Sequence, residues 1–389
     1  MAMPQPKAIS AKPAENSTDA KQRIVWVDIA RGLAICLVVL HHSVLAAVKV
    51  GELGEAVSRV NGLLLHLRMP LFFFCSGLLA SWCITKPWSA VLLNRGLVLV
   101  WLILLWTVLY FGLQQFIPVN PWTVAPDPRH LFITPYVTLW FIYAILLLTL
   151  LMKALAARSL VMQVLVVLAL HVPLVLIYKG FEDQLVGTSI GLWQLINVLG
   201  RFALLYFAAG CWLAPMVVAL FRDGRRVLVL FPLAVFIWVA EVAGPHVLQL
   251  DFALPRLLAG IPAVFLGMAF AALLALWTPT RTVFGWIGTR TLEIFLFHSV
   301  LIGLAFMLVE PLGITSGTTA LLLFVGFGLL GSIACERAAS LVKVPFLFRP
   351  PERVREYARS LLARLAPRFD ESRNVRQGRL PSPLASSLR

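Results

Sequence analysis

Ten apolar runs, each near twenty residues or longer, constrain this chain more than any other feature. They lie near 24–48, 62–84, 89–116, 131–152, 159–178, 192–220, 227–244, 253–277, 289–309 and 317–344. About 20 helical residues cross about 30 Å of hydrocarbon. The expected fold is therefore all-α: a polytopic membrane protein with about ten transmembrane helices in a bundle. Composition excludes the soluble alternative. Of 389 residues, 60% are hydrophobic and only 13% charged, against roughly 45–50% and 25% in soluble domains.

Charge sets the orientation. The net charge of +15 comes from 33 Lys+Arg against 18 Asp+Glu. These cations punctuate apolar runs instead of forming a patch with interleaved aromatics, so the partner they imply is the lipid bilayer and not nucleic acid. An even span count places both termini on one side. With that side inside, Lys86, Arg95, Lys153, Arg158, Arg222, Arg225, Arg226, Arg281 and Arg290 are inner residues. The outer segments hold only Lys49, Arg59, Arg129, Lys179 and Arg256, mixed with acidic residues. Both termini are thus expected in the cytosol.

Three regions follow. Residues 1–22 form a polar tail without the apolar core of a signal peptide. Residues 23–345 form the membrane domain, and 346–389 a basic tail. From Arg349 onward the tail holds ten Arg and four acidic residues. There Val354, Tyr357, Leu361, Leu362 and Leu365 recur at helical spacing, which suits a helix on the anionic inner leaflet or a solvated tail helix. The five cysteines show no metal-type spacing, so neither a disulfide nor a metal site is expected.

Ionisable groups inside spans are expensive and mark candidate sites. The first span carries the densest set. At about 100° per residue, Asp28, Arg31 and His42 share an arc of about 60°, while His41 points about 80° or more away. Arg31 and His42 stand roughly 16 Å apart along the axis. A neutral imidazole can take a proton from a hydroxyl near neutral pH, or carry an acyl group as a nucleophile. Spacing does not separate those roles. Other spans add His66 and Arg68 near the outer face, Arg201 in mid-membrane, and Arg290 with Glu293 at salt-bridging spacing. His298 follows Glu293 further along the same span.

Together these segments resemble the acyltransferase family 3 membrane proteins, the group of bacterial polysaccharide and fucose O-acetylases. The marks are Asp-x-x-Arg followed by Arg-x10-His (Asp28, Arg31, His42), a Met-Pro-Leu-Phe-Phe-Phe-x-Ser-Gly run (Met69 to Gly77), and Leu139-Trp140-Phe141. Tyr-Phe-x-x-Gly (Tyr206 to Gly210) and Ile-Gly-x-x-Thr-x-x-x-Phe-Leu-x-His (Ile287 to His298) complete them. The resemblance implies an enzyme of the inner membrane that moves an acyl group, often acetyl, from cytosolic acyl-CoA to a hydroxyl on an extracytoplasmic glycan. It implies no bound cofactor, with acyl-CoA entering as a donor substrate.

By that resemblance His42 is catalytic, with Arg31 as its companion; Asp28, three residues before Arg31, is the expected partner of its guanidinium in the same catalytic set. Arg95, Arg290, Glu293, His298, His66, Arg201 and Trp140 are the expected substrate-binding residues. The family's Arg-Arg-x-x-Arg cluster at the third span is reduced here to Asn94-Arg95, with Asn94 at the first arginine's place and Val98 at the last. Some relatives carry a fused extracytoplasmic esterase-like domain, which is not visible here. A homodimer or a separate extracytoplasmic partner remains open. The competing class is a secondary transporter of a small molecule or lipid-linked sugar, which calls for inverted repeats; the halves of this sequence do not mirror each other.

Overall fold

The computed structural model describes residues 24–119, 121, 137–185, 198–248 and 260–374. Within them the chain is helical apart from turns, with no strand among the described residues. The first half holds α1 (Val25–Ala47), α2 (Glu55–Leu63), α3 (Leu65–Ile84), α4 (Trp88–Val91), α5 (Leu97–Leu113), α6 (Trp140–Leu155) and α7 (Leu160–Leu185). The second half holds α8 (Leu204–Leu220), α9 (Gly224–Leu248), α10 (Gly260–Leu274), α11 (Thr278–Gly288) and α12 (Thr291–Met307). It closes with α13 (Gly317–Gly326), α14 (Ser332–Leu341) and α15 (Glu352–Asn374).

Among the described residues, five helical stretches are long and apolar enough to cross a membrane: Val25–Ala47, Glu55–Ile84, Trp88–Leu113, Leu160–Ile177 and Gly317–Leu341. A sixth arises if α11 and α12, bent by 73°, count as one span. The helices α6, α8 and α10 are apolar but shorter. The expected runs at 131–152, 192–220 and 253–277 each begin outside the described residues.

Glycines set two close helix crossings. A Cβ on Gly77 of α3 would collide with the Phe207 carbonyl of α8, and one on Gly210 of α8 with the Phe74 carbonyl of α3. Likewise Gly32 of α1 faces the Phe284 carbonyl of α11, while Gly288 faces that of Asp28. Lipid tails supply no hydrophobic drive between helices, so such backbone-to-backbone packing is what binds the pairs. The second crossing pins the Asp28–Arg31 stretch of α1 against the bend that leads into α12.

Among the described residues, three π-helical turns interrupt the helices, at Leu92–Gly96, Leu199–Ala203 and Phe327–Gly331. Turns of this kind shift side-chain register and recur at functional sites. The first carries Asn94 and Arg95, and the second carries Arg201. Beyond α14 the chain packs back on the bundle. Trp101 and Trp106 of α5 donate to the carbonyls of Phe346 and Leu347 at 2.7 and 2.8 Å. Phe348 meets Phe297 edge-on with ring centres 6.0 Å apart. Residues 346–348 thus belong physically to the membrane body, and α15 starts after them.

Candidate active site

The functional side chains fall into two groups along α1. Toward its start, Arg31 Nη2 donates to Thr291 Oγ1 at 2.6 Å, and its Nη1 lies 3.7 Å from Asp28 Oδ1. The sequence places Asp28 and Arg31 one turn apart, and the glycine crossing brings Thr291 to them. Arg31 and Thr291 border a cleft of about 530 Å³ that opens at this end of the bundle. Lys86, Asn94 and Arg95 line it too, with Ser76, Trp82 and Cys83. Its lining holds three cations and no carboxylate. Arg95 is tethered only loosely, with Nη2 at 3.5 Å from the Ser76 carbonyl.

Aromatic rings close the far end of the cleft. Phe72, Phe141 and Phe295 all line it. Phe72 meets Phe141 edge-on at 4.6 Å, and Phe141 meets Phe295 at 5.2 Å between ring centres. The Phe295 ring is in turn 5.8 Å from that of His298.

His298 and His42 form the second group. Nδ1 of His42 and Nε2 of His298 lie 2.8 Å apart. Other bonds fix which nitrogen carries hydrogen. His298 Nδ1 is 2.6 Å from the Phe295 carbonyl and 3.2 Å from that of Ile294. Carbonyl oxygens only accept, so His298 Nδ1–H is the donor. A neutral His298 then presents a lone pair on Nε2, where Ser299 Oγ also approaches at 3.3 Å. His42 Nδ1–H donates to that nitrogen, which leaves the lone pair of His42 on Nε2. This assignment follows from the network. His298 is fully buried, whereas His42 is half-buried. The arrangement matches the general logic of a base held in one tautomer by a second group.

His41 turns elsewhere, as the helical wheel requires. Its Nδ1 lies 3.2 Å from Asn61 Oδ1 on α2. The same Asn61 accepts from Arg68 Nη1 at its side-chain oxygen, at 3.1 Å, and at its carbonyl, at 3.2 Å.

Several expected site residues lie elsewhere or act otherwise. Arg290 does not pair with Glu293; its Nε reaches Glu336 Oε2 at 3.4 Å, and its guanidinium lies 4.2 Å from the Trp286 ring centre. Because α12 begins at Thr291, Arg290 sits before its first turn, where helical i, i+3 geometry does not apply. Neither Arg290 nor Glu293 lines the cleft. Trp140 packs edge-on against Phe141 and near Phe73, while Phe141 faces the cleft instead. His298 bonds to the catalytic candidate itself. The side chains of His66 and Arg201 lie outside the described residues.

Sequence reasoning missed Lys86 as a site residue, counting it only toward topology. Its signal was its place in the short turn that opens beside Arg95. Thr291 and His298 both stand in the Ile287 to His298 motif, but their contacts with Arg31 and His42 had no local signal, because they join helices far apart in the chain.

The acyltransferase-domain family matches residues 24–337, which include every group just described. This chain belongs to acyltransferase family 3. The inner membrane protein YcfT of Escherichia coli strain K12 is a relative, 35% identical over 95 residues. That match covers 22% of this chain and 27% of the relative. No solved structure matches the chain. With its long apolar helices, this family member is a multi-pass membrane protein.

Proposed function

We propose that the protein transfers an acyl group, acetyl by its family resemblance, from cytosolic acyl-CoA to a hydroxyl of an extracytoplasmic or lipid-linked glycan. One observation carries the reading. A cleft with three cations and no carboxylate ends at a phenylalanine wall directly beneath a hydrogen-bonded histidine pair. CoA bears several phosphate charges and cannot enter hydrocarbon, so it requires a cationic dock at the membrane face. Lys86 and Arg95 supply that dock in this reading, with Arg31 deeper. The thioester arm extends past Phe72, Phe141 and Phe295 toward His42.

The chemistry then needs a base. The acceptor hydroxyl gives its proton to His42 Nε2 as its oxygen attacks the thioester carbonyl. Collapse of the tetrahedral intermediate breaks the carbon–sulfur bond. The imidazolium returns its proton to the departing CoA sulfur. His298, by accepting from Nδ1–H, holds His42 in the tautomer that can begin this cycle. Ten spans, cytosolic termini and a place in the bacterial inner membrane complete the reading, supported by the distribution of cations along the sequence.

Purified protein in nanodiscs, given radiolabelled acetyl-CoA and membrane glycan extract, tests the proposal. Label is expected in a glycan ester. If the protein exchanges a solute across vesicles and never transfers label, the transporter reading replaces it.

A further inference from the structure

Arg68 is the one buried cation of the described bundle that no function above uses. It is 2% exposed and sits in the first turn of α3, at the end of the bundle opposite the cleft. A guanidinium has five N–H donors. Nη1 spends its pair on the Asn61 carbonyl and side-chain oxygen, at 3.2 and 3.1 Å. The three N–H groups on Nε and Nη2 donate to nothing among the described residues, and no described carboxylate pairs with the charge. Arg31 and Arg290, by contrast, have Asp28 and Glu336.

Holding α2 against α3 does not require a charge. A neutral amide would satisfy Asn61 without the cost of holding a buried cation that no carboxylate neutralises. An arginine kept there with a fork of unused donors is suited to a planar or tetrahedral anion. Its neighbourhood identifies which anion. Asn61 joins Arg68 to His41, whose ring centre is 5.3 Å from that of His42. Arg68 therefore stands beside the reacting imidazole on the acceptor's side, while Lys86 and Arg95 stand at the donor's end.

We infer that the acceptor carries an anionic group, a carboxylate or phosphate, close to the hydroxyl that is acylated, and that Arg68 receives it through Nε and Nη2. This rests on the reading of His42 as the transfer site. It makes Arg68 a specificity-determining residue, and it narrows the acceptor to acidic sugars or sugars linked through phosphate to lipid.

The test compares charged and neutral probe pairs on the full chain in nanodiscs, by ligand-induced thermal shift and by titration. The pairs are methyl glucuronide against methyl glucoside, and farnesyl diphosphate against farnesol. One charged probe is expected to bind at least about tenfold more tightly than its neutral mate, the gain of one charge-assisted bond. The uronide pair reports an acidic sugar, and the diphosphate pair a lipid linkage. Arg68→Gln is expected to erase the preference, Arg68→Lys to keep part of it, and His42→Ala to keep all of it.

If Arg68→Gln does not fold, Asn61→Ala replaces it. That variant leaves the charge but removes one anchor, and it is expected to shrink the preference several-fold. Equal binding of charged and neutral probes by the wild type overturns the inference. So does a preference untouched in the folded Arg68 variants, or in Asn61→Ala where that variant stands in for them. A loss of turnover in Arg68→Gln with probe preference intact also overturns it, in favour of a role on the transition-state oxyanion. Acetyl-CoA binding is measured on the same samples. Its absence from the wild type sinks the donor reading separately, since the probe pairs need no donor.

Discussion

At the end of the bundle where α1 begins, three cations share an open cleft; roughly 16 Å further along the same helix, two imidazoles bond to each other. The first region works by charge and tolerates loose geometry. Arg95 is held by one long bond, and Lys86 and Asn94 reach the cleft from a turn. The second region works by placement. His298 is fully buried, anchored at Nδ1 by its own helix's carbonyls, and passes that constraint to His42. The difference teaches that one helix can serve two chemistries when its two halves meet different neighbours. Arg31 meets Thr291 at the start of α12, and His42 meets His298 about two turns beyond it.

Mutations should separate the regions by what they change. The largest effect is expected from His42→Ala, which removes the base and lowers turnover by about 10²–10⁴-fold. His41→Ala, turned toward Asn61, should retain much of the activity. Steady-state transfer of labelled acetyl at equal expression checks both. Equal losses would remove the distinction between the rings.

Next comes His298→Ala. It leaves the base in place but frees its tautomer, so turnover should fall by about tenfold or more while the KM for acyl-CoA stays near wild type. A rise in that KM with unchanged kcat would return His298 to substrate binding.

The cleft should respond in donor affinity and leave turnover at saturation intact. Lys86→Gln and Arg95→Gln each remove one charged contact worth about 1.5–3 kcal/mol, which is roughly ten- to hundredfold in donor affinity. For Arg31, replacement by Lys keeps the charge but loses the planar fork that reaches both Thr291 and Asp28. A drop in donor affinity smaller than that for Arg95→Gln is expected on titration. The smallest effect belongs to Arg290→Lys. Its partners Glu336 and Trp286 lie away from the cleft, so kcat and KM should stay unchanged and only thermal stability should fall, by about 1 kcal/mol or less.

The same contrast explains what the sequence made legible. The all-helical, membrane-spanning character could be read because apolar length is a one-dimensional property. The shared face of Asp28, Arg31 and His42 could be read because a single helix sets it. Gly77 and Gly210 close two of the motifs quoted above, and each faces the backbone of the other's helix, at Phe207 and Phe74. Contacts between distant spans could not be read. Nothing local says that His298 of α12 meets His42, or that Phe141 faces the cleft in place of Trp140. The expected Arg290–Glu293 pair failed for a local reason: the 73° bend between α11 and α12 ends helical spacing at that point.

Donor binding and transfer, measured side by side on three purified proteins, test the division directly. These are the wild type, His42→Ala, and the double variant Lys86→Gln/Arg95→Gln. The account predicts that His42→Ala binds acetyl-CoA with the wild-type Kd yet transfers almost nothing. It predicts that the double variant binds far more weakly but approaches wild-type kcat at saturating donor. Loss of acetyl-CoA binding in folded His42→Ala, or wild-type binding by the double variant, would contradict it.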